Sequence, residues 1–204
     1  MRQPAEWIEA AGLDPKYLNR ESWIRISDYF ELRKRWANTH NLAGPKALRD
    51  PWQVDLIDAY ALRTVLEPGR LLIDVGTGSG TPGVLVACLL PTHPVWLVEP
   101  NAKRTAFLRA AITALGLGHV KVNRGRWPMN VSHETYQIVS RAVVNPAAWP
   151  TLAAQGSPAP ATIHRMLAQH RPTMTLTAYH QTRSIHYHVQ STDDRCIESW
   201  AHQM

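Results

Sequence analysis

The sequence predicts an α/β fold: a parallel sheet with helices on both faces, finished by an antiparallel hairpin and preceded by a helical segment. Three observations carry this expectation. From Arg70 onward, short apolar runs alternate with helices of about 10 to 15 residues, the pattern of a parallel sheet. Near the end, "SIHYHVQ" and "CIESWAH" are separated only by "STDDR", too short for a parallel crossover and right for a hairpin. Before Arg70 the chain reads as helix alone.

In order, "AEWIEAAGL" is a short helix ending at Gly12. "RESWIRISDYFELRKRWANTHNL" then sets Trp23, Ile26, Tyr29 or Phe30, Leu32 or Arg33, and Trp36 at helical spacing, one apolar stripe. "DPWQVDLIDAYALRTVLEPG" offers Asp50 as N-cap and Pro51 as first helical residue, and Pro68-Gly69 break it. "LLIDV", "PVWLVE", "VKVNRG" and "YQIVSRAV" read as strands, with "TPGVLVACLL" and "NAKRTAFLRAAITALGL" as helices between them. "NPAAWPTLAAQGSPAPA" is a Pro/Ala-rich loop around a short helix, and "TMTLTAYH" is expected to be the fifth strand. This implies one compact unit, with residues 1–69 a helical segment packed on a core of residues 70–204.

The 204 residues suffice for one well-filled core, and a 45% hydrophobic with 19% charged share excludes a disordered chain. No apolar run approaches the roughly 20 residues of a membrane span, and the start has no secretory-signal pattern, so a cytoplasmic protein is expected. Two cysteines without a C-x-x-C pair argue against a metal site or disulfide framework. His186, His188 and His180 lie near one another, but nothing completes a ligand set, and no metal is expected. The net charge of +6 comes from 22 basic residues, most of them arginine, which suits phosphate recognition. A simple compositional bias accounts for the charge equally well.

The stretch "DVGTGSGTPG", Asp74 to Gly83, is the turn from the first strand into a helix. From Gly78 it satisfies the G-x-G-x-x-G of dinucleotide folds; from Asp74 it reads D-x-G-x-G-x-G. Gly76, Gly78 and Gly80 let the backbone turn tightly against a ligand, with Thr81 as expected N-cap and Pro82 as first helical residue. Asp74 discriminates between the ligands. A pyrophosphate disfavours a nearby carboxylate, whereas the sulfonium and α-ammonium of S-adenosylmethionine are cationic. Glu99, ending the second strand, is placed to accept from both hydroxyls of a ribose, which fits either ligand. The bland reading is a tight turn with Asp74 as an ordinary capping carboxylate.

The run from "DVGTGSGTPG" through "KRTAFL" (Lys103 to Leu108), "GR" (Gly125-Arg126) and "RA" (Arg141-Ala142) resembles the bacterial 16S rRNA guanine-N7 methyltransferase family, also called the glucose-inhibited division protein B family. Asn41-Leu42 and "DAYAL" (Asp58 to Leu62) resemble its helical elements. The resemblance implies a Rossmann-like class I methyltransferase sheet, S-adenosylmethionine as cofactor, and 16S rRNA or the small ribosomal subunit as partner, with a monomer by default. It implies that Gly76 and Thr81 line the methionine part of the cofactor. It further implies that Arg126, Trp127 and Pro128 border the adenine and that Arg141 lies beside the cofactor as the catalytic candidate. Trp127 is a candidate to stack on adenine, or simply core.

Guanine N7 presents a lone pair, so its methylation needs positioning rather than a general base. Arg141, and the run Arg33 to Trp36, are candidates to hold RNA phosphate or the base, against a solvated helix face for the latter. The chain departs from the family pattern at Thr81, at Asp55 (for a His), at Gln137 (for an Asp) and in lacking a Lys-Gly and a helix after the fifth strand. Three functions therefore stay open: an rRNA guanine-N7 methyltransferase, a same-fold methyltransferase with a changed small-molecule or RNA substrate, and a non-catalytic RNA- or ribosome-binding relative.

Overall fold

A computed structural model describes residues 4–40, 50–141, 143–168, 175–189 and 193–203, with backbone only for 38–40. Its helices are α1 (Pro4–Ala10), α2 (Arg20–His40), α3 (Ile57–Val65), α4 (Gly83–Leu89), α5 (Ala102–Ala114) and α6 (Trp149–Ala153). The strands are β1 (Leu71–Val75), β2 (Val95–Glu99), β3 (Val120–Arg124), β4 (Tyr136–Ser140), β5 (Thr162–Leu167), β6 (Tyr179–Val189) and β7 (Asp193–His202). They form one sheet in the order β3-β2-β1-β4-β5-β7-β6. β1 to β5 run parallel; β7 is antiparallel to both β5 and β6.

Strand alternation divides the core between the two faces of this sheet. Leu72, Val95, Leu97 and Val139 face a large cluster with α1 to α5, including Ile26, Tyr29, Leu62, Val84 and Phe107. Leu71, Ile73, Val75, Trp96, Val98 and Ile138 face a smaller cluster closed by α6 and loops through Trp127, Trp149 and Leu176. Helices are expected on both faces, but among the described residues the second face carries one short helix and is filled largely by tryptophans, Trp127 from a loop and Trp149 from α6. The chain leaves β1 for β2 and β3 on one side and returns to β4 on the other. A ligand crevice belongs at that switch point, beyond the carboxyl ends of β1 and β4.

The fifth strand corrects the sequence reading. It is Thr162–Leu167, "TIHRML", pairing with β4 from Gln137–Thr162 to Ser140–Arg165. Within "TMTLTAYH", Thr173 and Met174 lie outside the described residues, Thr175 to Ala178 are not strand apart from an isolated bridge at Leu176, and β6 starts at Tyr179. The true strand was hidden because it buries His164 and Arg165, whose partners come from elsewhere. His164 meets Gln137 and Ser199, and Arg165 lies 3.3 Å from Glu198. A buried strand with such partners shows no apolar run. The absence of Lys-Gly holds at the corrected position, where Leu167 is followed by Ala168.

Two caps also differ. Ahead of α3 the chain makes a π-helical turn over Trp52–Leu56, in which Asp50 contributes its backbone carbonyl to Val54 at 3.1 Å instead of a side-chain cap. α4 starts at Gly83, one residue later than expected, and the Thr81 hydroxyl does not cap it.

Candidate functional site

β1 delivers Asp74 fully buried at the foot of the glycine turn. Its Oδ2 accepts from Thr77 Oγ1 at 2.6 Å and from the Gly83 amide at 2.8 Å, so the carboxylate ties the turn to the start of α4. Gly83 is required there, because a β-carbon would stand 2.7 Å from that oxygen. The other oxygen, Oδ1, is buried without a hydrogen-bond partner among the described residues. Burial pushes the Asp74 carboxyl up to about 6, although the bonds from Thr77 and Gly83 favour its ionised form.

Gly76, at φ +63°, passes directly under Val143 of the loop after β4: an added β-carbon would meet Val143 Cγ2 at 2.0 Å. Glu99, at the end of β2, is nearly fully buried and already holds backbone: Oε2 accepts from the Gly78 amide at 3.0 Å and Oε1 from the Asn101 amide at 2.9 Å. Each oxygen keeps a second lone pair for a ligand hydroxyl. Beside Gly76 and Glu99 lies a cavity of about 390 Å³, lined among others by Gly76, Glu99, Arg104, Arg126, Trp127 and Val143, while Asp74, Thr81 and Arg141 stand behind its lining. This is within the usual range for a small-molecule site.

The predicted residues divide by position. Gly76, Glu99, Arg126 and Trp127 line the cavity. Gly78 donates its amide to Glu99, and at Gly80 an added β-carbon would meet Val84, Leu108 and the Tyr29 hydroxyl. Pro128 is exposed and does not line the cavity. Trp127 is a fixed wall: its indole N–H donates to the Leu152 carbonyl at 3.0 Å and its ring meets Tyr136 edge-on.

Arg141, just after β4, reaches back to the N-terminal helices. Its Nη1 donates to Asp55 Oδ1 at 2.6 Å and Asp58 Oδ2 at 3.1 Å, and its Nη2 donates to Thr81 Oγ1 at 2.7 Å. Asp55 also accepts from Arg33 at 2.6 Å, while Asp58 accepts from Arg195 at 2.6 Å and from the Tyr187 hydroxyl at 2.8 Å. Burial opposes the charge of Arg141, but Asp55 and Asp58 outweigh it and hold the guanidinium protonated. Arg33 is therefore no surface contact: it is buried against Asp55 and over the rings of Phe30 and Tyr29, and only Lys34 and Arg35 of that run are exposed. Trp36 packs on Phe107.

Asp58, Tyr187 and Arg195 are further residues of this cluster that the sequence does not mark as site residues. Asp58 alone carries a signal there, a carboxylate within the apolar run "LIDAYAL". Ala142 and Asn41-Leu42 lie outside the described residues. His188 bonds Asp194 at 2.6 Å, and among the described residues no three metal-ligating side chains gather. No helix among them is long and apolar enough to cross a membrane.

A sequence profile described as GidB, rRNA small subunit methyltransferase G, matches residues 24–169. The chain belongs to this family. Among GidB relatives, the ribosomal RNA small subunit methyltransferase G of Rhodopseudomonas palustris is 30% identical over 85% of this chain and 69% of that protein. Its counterpart from Dichelobacter nodosus is 36% identical over 52% of this chain and 50% of that protein. The match to the latter thus spans half that relative's length. Among solved structures, TrmN from Thermus thermophilus superposes with a TM-score of 0.55 at 16% identity, over 74% of this chain and 49% of the other. TrmK of M. capricolum, in complex with S-adenosyl-homocysteine, gives 0.54 at 7% identity, over 71% and 67%. These likenesses show that the GidB chain has the Rossmann-like class I methyltransferase fold.

Proposed function

We propose that the chain is an S-adenosylmethionine-dependent methyltransferase acting on N7 of a guanine in 16S rRNA within the small ribosomal subunit. The observation that carries this reading is the divided Asp74 carboxylate. One oxygen holds the turn, and the other is a buried acceptor with no partner among the described residues. A buried unpaired acceptor of that kind is costly unless a ligand donor meets it. An ammonium fits, and a pyrophosphate would face like charge. Family membership supports the same choice.

The residues present fit this cofactor. Asp74 and Gly76 would hold its amino-acid portion, Glu99 its ribose, and the Trp127 wall with Arg126 its adenine. When bound, S-adenosylmethionine supplies a methyl on a cationic sulfur, which passes to the N7 lone pair and leaves a neutral thioether. The chain's part is to orient. The Asp55–Arg141–Asp58 arrangement fixes a guanidinium at the carboxyl end of β4, where it stays charged and presents donors in a set direction. Arg104 and Arg126 at the cavity mouth add positive charge for phosphate. Leu167-Ala168, where the family pattern has Lys-Gly, favours a changed acceptor as the second reading.

Calorimetry with S-adenosylhomocysteine tests the cofactor, and mapping 7-methylguanosine in 16S rRNA from a deletion strain tests the substrate. Binding plus one missing modification is the expected result. An intact modification pattern moves the reading to another acceptor, and absence of binding overturns it.

A further inference from the structure

We infer that a second cavity, of about 300 Å³, is the acceptor pocket, and that Arg195 and Tyr187 of the β6–β7 hairpin position a guanine base within it; this rests on the methyl-transfer reading above. The cavity is lined by Asp58, Arg141, Tyr187 and Arg195 on its polar side and by apolar groups that include Val144 and Met166. Val144 lines both this cavity and the cofactor cavity, so the two spaces adjoin at that residue. A methyl acceptor must occupy a space next to the donor, and this one does.

Its chemistry selects a base with acceptors on the edge presented. Arginine has five N–H donors and no acceptor. Among the described residues, Arg141 directs donors to Asp55, Asp58 and Thr81, leaving its Nε–H and one Nη2–H. Arg195 engages Asp193 through Nε and Nη2 and Asp58 through Nη1, leaving one hydrogen on each Nη. Asp58 Oδ1 takes the Tyr187 hydroxyl and Oδ2 takes both arginines, so Tyr187 gives its proton to Asp58 and holds that carboxylate in place. The hydrogens left free on the polar wall therefore belong to Arg141 and Arg195. Guanine presents O6 to such a wall, whereas adenine presents an amino donor at the same place. The apolar groups cover the faces of a base turned out of its stack. N7 keeps its lone pair for the methyl and loses no proton.

The hairpin makes this arrangement specific. Tyr187 and Arg195 fall outside the residues 24–169 that the family profile matches. Through Asp58 they are joined to Arg141, so the C-terminal hairpin and the helix before the sheet build one pocket wall.

The test uses the full chain saturated with S-adenosylhomocysteine and reads saturation-transfer NMR of guanosine 5′-monophosphate and adenosine 5′-monophosphate. Ala168→Trp places bulk in the pocket from an exposed position without breaking an ion pair. Guanosine monophosphate is expected to bind about tenfold or more tightly than the adenine nucleotide. Its signal disappears in Ala168→Trp, and the preference for guanine disappears in Arg195→Ala, while both variants bind S-adenosylhomocysteine as the parent does. Arg195→Lys keeps a charge beside Asp58 and restores binding in part. An unchanged guanosine signal in Ala168→Trp, or equal binding of the two nucleotides by the parent, overturns the pocket. Failure of the parent to bind S-adenosylhomocysteine overturns the cofactor reading instead.

Discussion

Asp58 and Arg195 meet at 2.6 Å across 137 positions of sequence, joining α3 to the last strand of the sheet. Asp58 is 1% exposed and also receives Arg141 and the Tyr187 hydroxyl. Without Asp58, Arg141 keeps Asp55 and Arg195 keeps Asp193, but the buried Tyr187 hydroxyl loses its acceptor, which costs about 1–3 kcal/mol. Asp58→Ala is therefore expected to lower the thermal midpoint by roughly 5 °C. A scan showing a shift of less than about 2 °C would mean that this junction contributes little.

The glycine turn gives a second prediction. Gly76→Ala combines a left-handed φ with a β-carbon 2.0 Å from Val143 Cγ2, so the turn or the Val143 loop must move. A backbone held in that region costs a non-glycine residue about 1–3 kcal/mol. S-adenosylhomocysteine affinity is expected to fall at least about tenfold, since 1.4 kcal/mol corresponds to a factor of ten. Calorimetry that returned parental affinity would remove Gly76 from the cofactor site.

The pH dependence of cofactor binding follows from Asp74. Its carboxyl is raised to about 6 by burial, against an ordinary value of 3.8. Between those values the folded chain holds a proton that the unfolded chain releases. The burial penalty on Asp74 is thus relieved as pH falls through about 6, and in the protein alone this group favours the folded state on acidification. Binding of an ammonium needs the ionised form. Affinity for S-adenosylhomocysteine is therefore expected to be level above pH 7 and to weaken below about 6, and Asp74→Asn is expected to be weak and level throughout. Calorimetry from pH 5 to pH 8 checks it; a flat parental profile would refute the contact.

His164 works in the opposite direction. Its Nε2 faces Gln137 Oε1 at 3.1 Å and its Nδ1 faces the Ser199 hydroxyl at 2.9 Å. Gln137 uses its amide nitrogen on the carbonyls of Glu67 and Arg70, which assigns the ring proton to Nε2 and makes Nδ1 the acceptor. Burial lowers the imidazole to about 3 from 6.5. Below pH 6.5 the unfolded chain takes up a proton that the folded chain refuses, so this residue costs stability progressively as pH drops toward 3. Urea titrations at pH 7 and pH 5 should show His164→Gln losing less stability over that interval than the parent. Equal losses would indicate that His164 is not held neutral.

Much of the proposed cofactor half of the site is legible in the chain as local pattern. "LLIDV" followed by the glycine turn, and "VWLVE" ending in Glu99, are local patterns: a buried strand must be apolar, and its last residue lies next to the following turn. Asp74, Gly76, Glu99 and Trp127 are accordingly gathered at the ends of neighbouring strands. The proposed acceptor side is not legible in the same way. Arg33 falls both on the apolar stripe and in a basic run, and helical periodicity alone cannot choose between them because it does not show what would pair a buried guanidinium. Its partner, Asp55, lies 22 positions away on another helix.

The sequence by itself determined the alternation of strands and helices, the family, and the carboxylate-before-glycines turn, because each of these depends on residues close together in the chain. Only the tertiary structure decided which strand is fifth and which charges are buried. It also decided that Arg141, Asp58, Tyr187 and Arg195 share one wall. Burial of a charge is tolerated only where a partner arrives, and here the partners arrive from 83 and 137 positions away, a separation that no local pattern records.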